Sequence, residues 1–77
     1  MEPEVALGIV IRQLRTSRAL SQETLALEAG LQRNYISLLE RGKSAATIKT
    51  IFKLAVALDV SLVEIARRLE SIVALQR

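Results

Sequence analysis

The sequence predicts an all-α fold, a single five-helix domain over residues 1–77. Three observations carry this. Apolar residues recur at intervals of three and four along most of the chain. Aromatic residues make up only 3%, and no period-two alternation bounded by turn residues persists, so strands find no support. Helix start and stop signals at Ser21, Gly30, Gly42, Thr47 and Ser61 divide the chain at short intervals.

The first helix begins near Pro3, a residue tolerated in a first helical turn. Glu2 and Glu4 lie where the helix dipole favours negative charge. Leu7, Val10, Ile11 and Leu14 make its buried stripe, and it runs to about Arg18. Ser21 is a candidate N-cap for the second helix. Leu25, Ala26 and Ala29 of that helix face inward, and Gly30 ends it by taking a positive φ. The third helix spans roughly Gln32 to Arg41, with Gly42 as its stop. Thr47 opens the fourth, whose inward face is Ile48, Ile51, Leu54, Ala55 and Leu58. After a turn at Asp59 and Val60, Ser61 and Glu64 have capping-box spacing. The fifth helix then covers residues 61–76.

Composition removes several classes of function. The chain has no cysteine and no histidine. Disulfides, zinc sites built on those residues and histidine-based acid–base catalysis are excluded by inventory. The absence of cysteine suits a reducing cytoplasm. No apolar run approaches the roughly 20 residues of a membrane span. The acidic start does not have the basic flank of a signal peptide. The scattered Asp59, Glu64 and Glu70 have no base, nucleophile or metal-ligand spacing around them, so neither an enzyme nor a cofactor is expected. The net charge of +3 suits a polyanionic partner, although many inert domains carry as much.

The segment from Ser21 to Gly42 carries the chemistry. Two short helical patterns meet at a tight Ala29-Gly30-Leu31 corner. At 100° per residue, Arg33, Asn34, Ser37, Leu38 and Arg41 share one arc of about 140° on the third helix. Tyr35, Ile36 and Leu39 fall on the other arc, which packs. Arg33 can present its planar fork to guanine O6 and N7, and Asn34 can pair with adenine N6 and N7. Ser37 is short enough for a base edge or a phosphate, and Leu38 fits a thymine methyl. Gln22 sits at a helix N-terminus, where backbone N–H groups hold phosphate. Tyr35, Arg41, Lys43 and Lys49 are candidate phosphate contacts, which add affinity without sequence choice.

This arrangement resembles the helix-turn-helix of the phage repressor/Cro family, often called the XRE family. The matching residues are Gln22, Leu25-Ala26, Gly30-Leu31, Ile36, Leu39, Glu40 and Gly42, with Ala57 to Leu62 matching the family's closing junction. The resemblance implies a lambda-repressor-like fold, with residues 21–42 as the helix-turn-helix. It also implies an ion pair between Arg15 and Glu40. Arg33 to Ser37, Glu40-Arg41 and Thr47 to Lys49 further resemble the controller proteins of restriction–modification systems. Those proteins often carry an arginine and an asparagine in the loop after the third helix. Here that loop reads Gly42-Lys43-Ser44-Ala45-Ala46.

The implied partners are double-stranded DNA and a second copy of the chain. On the fifth helix Leu62, Ile65, Leu69, Ile72 and Val73 offer more apolar surface than a small core requires, and a two-fold dimer is one outlet. The other is that the tail folds back on the first helix. The resemblance implies both repression, by occluding a promoter, and activation, by offering a patch such as Glu23 and Glu28 to RNA polymerase. No small-molecule ligand or membrane is expected. The competing reading is a protein-interaction module, an antitoxin or adaptor, built on the same helices.

Overall fold

The structure, a computed structural model, describes residues 1–75. All regular structure among them is helical: α1 (Pro3–Ser17), α2 (Gln22–Ala29), α3 (Arg33–Glu40), α4 (Ile48–Ala57) and α5 (Leu62–Leu75). The expected last residue of the fifth helix, Gln76, lies outside the described residues.

The local signals act as their chemistry requires. The hydroxyls of Ser21, Thr47 and Ser61 accept hydrogen bonds from the backbone N–H of Thr24, Thr50 and Glu64, at 3.0, 3.2 and 3.0 Å. Each satisfies one of the orphan donors of a first helical turn. The capping box at Ser61 is only half formed. The Glu64 carboxylate turns along the helix instead, to Arg68 Nε at 2.8 Å and Arg67 at 3.0 Å.

Four helices stop in one way. Ala19, Gly30, Gly42 and Asp59 take φ values of 57°, 69°, 71° and 55°. The residue after each donates its N–H five residues back, to the carbonyls of Arg15, Ala26, Leu38 and Ala55. This is the Schellman closure, in which a left-handed residue lets the chain satisfy the last carbonyls. Two of the four residues are not glycine, and for them the left-handed backbone is costly.

Val10, Ile11, Leu25, Ile36, Leu39, Leu54 and Leu58 form a fully buried centre. α1 packs on α3 and α5, and α2 packs on α3 and α4. Two expectations are corrected. Ile48, assigned to the inward face of the fourth helix, is 63% exposed, because it begins α4 one turn before the helix meets the core. Ile65, assigned to a partner-facing surface, is 3% exposed and belongs to the chain's own core, with Leu69 and Ile72 packed against it. α5 therefore folds back on α1, which takes up much of the apolar surplus.

Gly8 fixes how closely α1 meets α3. A Cβ there would lie 2.3 Å from the Leu39 carbonyl oxygen and 2.8 Å from that of Glu40. Only a residue without a side chain permits this approach.

Candidate nucleic-acid interface

The inner side of α3 is anchored by Ile36 and Leu39, 0% and 1% exposed. Its other side is left open. Arg33 and Asn34, in the first turn, are exposed, and Ser37 and Leu38, one turn on, are half-buried. The four expected base-reading residues therefore lie along one accessible strip, with their polar groups at its N-terminal end.

A hydrogen-bonded clamp holds the opposite end of α3. Glu40 accepts from Arg15 Nε at 2.6 Å and from a second guanidinium nitrogen at 2.9 Å, a two-point fork. It also accepts from Gln22 Nε2 at 3.1 Å. Arg15 further donates to the Leu20 carbonyl at 2.8 Å. The clamp thus joins α1, α2, α3 and the corner between α1 and α2. Its side chains are only 12% (Arg15) and 4% (Glu40) exposed, and the hydrogen bond to Glu40 raises the Arg15 pKa above its ordinary value. The implied ion pair is thus formed. That Gln22 joins it was not legible in the sequence, where Gln22 reads only as a helix-start residue.

The expected phosphate contacts are more dispersed. Gln22 and Arg33 share an open polar cleft with Arg15, Ser21, Glu23 and Thr24, between the starts of α2 and α3. The Gln22 amide nitrogen is already engaged by Glu40, and the Thr24 N–H in the first turn of α2 by the Ser21 hydroxyl. Tyr35 is half-buried, and its hydroxyl donates to the Ala45 carbonyl at 3.1 Å, fastening α3 to the following loop. Arg41 caps α3 and donates from Nε to the Ser37 carbonyl at 3.3 Å. Lys43 stands in the loop and Lys49 in the first turn of α4, both exposed. Among the described residues, Arg33, Arg41, Lys43 and Lys49 make no ion pair, so their charge faces solvent uncompensated.

Two short helices meeting at a left-handed glycine, the second with one side buried and the other open and basic, define a helix-turn-helix domain. A helix-turn-helix family model matches residues 11–65. The chain belongs to that family. It is 37% identical over 65 residues to an uncharacterised HTH-type transcriptional regulator, y4dJ, of Sinorhizobium fredii, covering 84% of each chain. It is similar in structure to the restriction–modification controller protein C.AhdI from Aeromonas hydrophila. That match has a TM-score of 0.78 and 45% identity and covers 80% of this chain and 94% of that one. It also resembles the controller protein C.Esp1396I, solved as a tetramer with its natural 35-base-pair operator. There the TM-score is 0.85 with 31% identity, over 92% of this chain and 93% of that one.

Proposed function

We propose that this protein is a sequence-specific DNA-binding transcriptional regulator of the restriction–modification controller type. It acts as a homodimer on a two-fold operator. The single observation that carries this is the open strip of α3 bearing Arg33 and Asn34, held from behind by the Glu40 clamp. Arg33 and Asn34 read base edges in the major groove, with Ser37 and Leu38 completing the strip. The start of α2 at Gln22 receives a phosphate, and Arg41, Lys43 and Lys49 hold the backbone to either side. Tyr35 meets the sugar–phosphate backbone beside the loop that its hydroxyl fastens. One such helix reads only a few base pairs, and two set about 34 Å apart read successive turns of a palindrome. The relatives' names support this reading: a transcriptional regulator, and controller proteins, one of them on operator DNA as a tetramer.

Residues 1–77 act as one domain with the helix-turn-helix at 21–42, in the cytoplasm, with no catalysis and no cofactor. Among the described residues no helix is long and apolar enough to cross a membrane. Occlusion of a promoter gives repression. Activation uses the exposed Glu23 and Glu28 of α2 against RNA polymerase.

Selection of bound duplexes from a random pool tests the proposal and returns the operator with its symmetry. On that operator Arg33→Ala is expected to cost about 1–3 kcal/mol and relax one position of each half-site. Lys43→Ala weakens operator and random duplex alike and lowers the salt slope by about 0.9. Selection that returns no preferred sequence, with binding insensitive to salt, overturns the proposal in favour of a protein-interaction module.

A further inference from the structure

Three apolar side chains in successive turns of α4 remain in water. Ile48, Phe52 and Val56 are 63%, 53% and 81% exposed. At intervals of four they make a stripe about 12 Å long. Val63, at the start of α5, is 70% exposed. Small soluble domains seldom leave apolar surface this continuous without a partner.

Next to the stripe lies an apolar groove of about 400 Å³, lined by Leu7, Ile48, Ile51, Leu62 and Leu69. Ile48 belongs to both, so stripe and groove form one surface. A single charged side chain, Glu4, also lines the groove. Its Oε1 is shut off from solvent and has no hydrogen-bond donor. A carboxylate oxygen in an apolar setting without a donor is unfavourable, and it selects an occupant that brings a cation. The helix carries a cation beside the stripe, about 100° round from Phe52. Lys53 is exposed and sits between Phe52 and Val56 in the α4 sequence.

We propose that the groove receives the Phe52 ring of a second copy of this chain, and that Glu4 accepts a hydrogen bond from Lys53 of that copy. A two-fold pairing makes both contacts twice, since each copy presents the same knob, groove, carboxylate and cation. Phe52 is the only phenylalanine of the chain, and large aromatic side chains seated in a partner's pocket carry a disproportionate share of interface energy. The Glu4–Lys53 pair fixes the register and opposes other apolar partners, which would leave the carboxylate unmet. The inference rests on the homodimer reading and moves its centre from α5 to the α4 stripe and the groove.

The test is sedimentation of the full chain from submicromolar to high micromolar concentration, with far-UV circular dichroism confirming that each variant keeps its helices. The wild type is expected to dimerise. Phe52→Ala raises the dimer dissociation constant about thirtyfold or more. Glu4→Lys and Lys53→Glu each weaken the dimer, and the double charge swap restores it. Random-pool DNA selection on the same variants returns the same half-site, with loss of the two-fold repeat in Phe52→Ala. A dimeric wild type whose constant is unmoved by Phe52→Ala and by both charge reversals overturns this inference and leaves the homodimer reading standing. A wild type that stays at 8.5 kDa and binds DNA only as single copies overturns both.

Discussion

Gly8→Ala sets two physical effects against each other. In the interior of a helix, alanine is favoured over glycine by about 1 kcal/mol, so propensity alone predicts a more stable protein. The close approach of α1 and α3 predicts the reverse. The added Cβ would stand 2.3 Å from the Leu39 carbonyl oxygen, about 1 Å short of ordinary contact, and 2.8 Å from that of Glu40. Both obstacles are helical backbone and cannot swing aside like a side chain. The Leu39 carbonyl is also held by the Gly42 N–H at 3.0 Å. The two helices must separate, and a gap of 0.5–1 Å already forfeits roughly a quarter to a half of each dispersion contact across it. Overpacking of this kind costs about 1–3 kcal/mol, and a clash with rigid backbone belongs at the upper end. We expect a net loss of about 2 kcal/mol. For a domain of this size that lowers the melting temperature by about 8–16 °C. Thermal unfolding followed by circular dichroism at 222 nm measures it. A variant that melts at or above the wild-type temperature refutes the argument that backbone contact at Gly8 governs the α1–α3 distance.

Three further outcomes follow from particular contacts. Ala19→Gly removes a side chain from a left-handed residue and is expected to stabilise by about 0.5–1 kcal/mol in urea unfolding; a fall in stability would show that the strain at this stop is negligible. Glu40→Ala strands the Arg15 guanidinium beside the core and is expected to cost about 3–5 kcal/mol, much of the stability of a small domain; a loss below about 1 kcal/mol would mean the pair is solvated. Hydrogen bonding from Arg68, assisted by the charge of Arg67, holds the Glu64 carboxylate below the ordinary glutamate value. A depressed carboxylate stabilises above its unfolded value of about 4.3 and loses that contribution as pH falls through its folded value. NMR titration of the Glu64 carboxyl carbon should accordingly move upward in Arg68→Ala, and an unchanged midpoint would remove Arg68 as the cause.

The helical order was legible because each signal is local. Ser21, Thr47 and Ser61 cap through their own hydroxyls, and Gly30 and Gly42 stop helices through their own backbone freedom. Ala19 carries no such mark. It is held in the left-handed region by the Leu20 N–H reaching back to Arg15, a closure fixed by the surrounding packing. The two faces of α3 followed from periodicity alone, and the Arg15–Glu40 pair from resemblance. The role of Gln22 in the same clamp did not, because its contact with Glu40 spans eighteen residues. On α5, periodicity located an apolar stripe but not its partner. Ile65 is as apolar as a dimer contact should be, and only the path of α5 across α1 assigns it to the interior. Ile48, one turn ahead of the core, illustrates the converse: an inward periodicity that ends at the rim of an open groove, leaving the side chain 63% exposed.

The left-handed stops at Ala19, Gly30 and Asp59 give the domain short corners after α1, α2 and α4, whereas the connection after Gly42 runs on to Thr47. If the protein acts as the proposed homodimer, these corners give a single copy little room to adapt to operators whose half-sites lie at different distances. On the proposed homodimer reading, tolerance for such differences resides where two copies join, so spacing preference and base preference would be set by separate parts of the chain and could change independently.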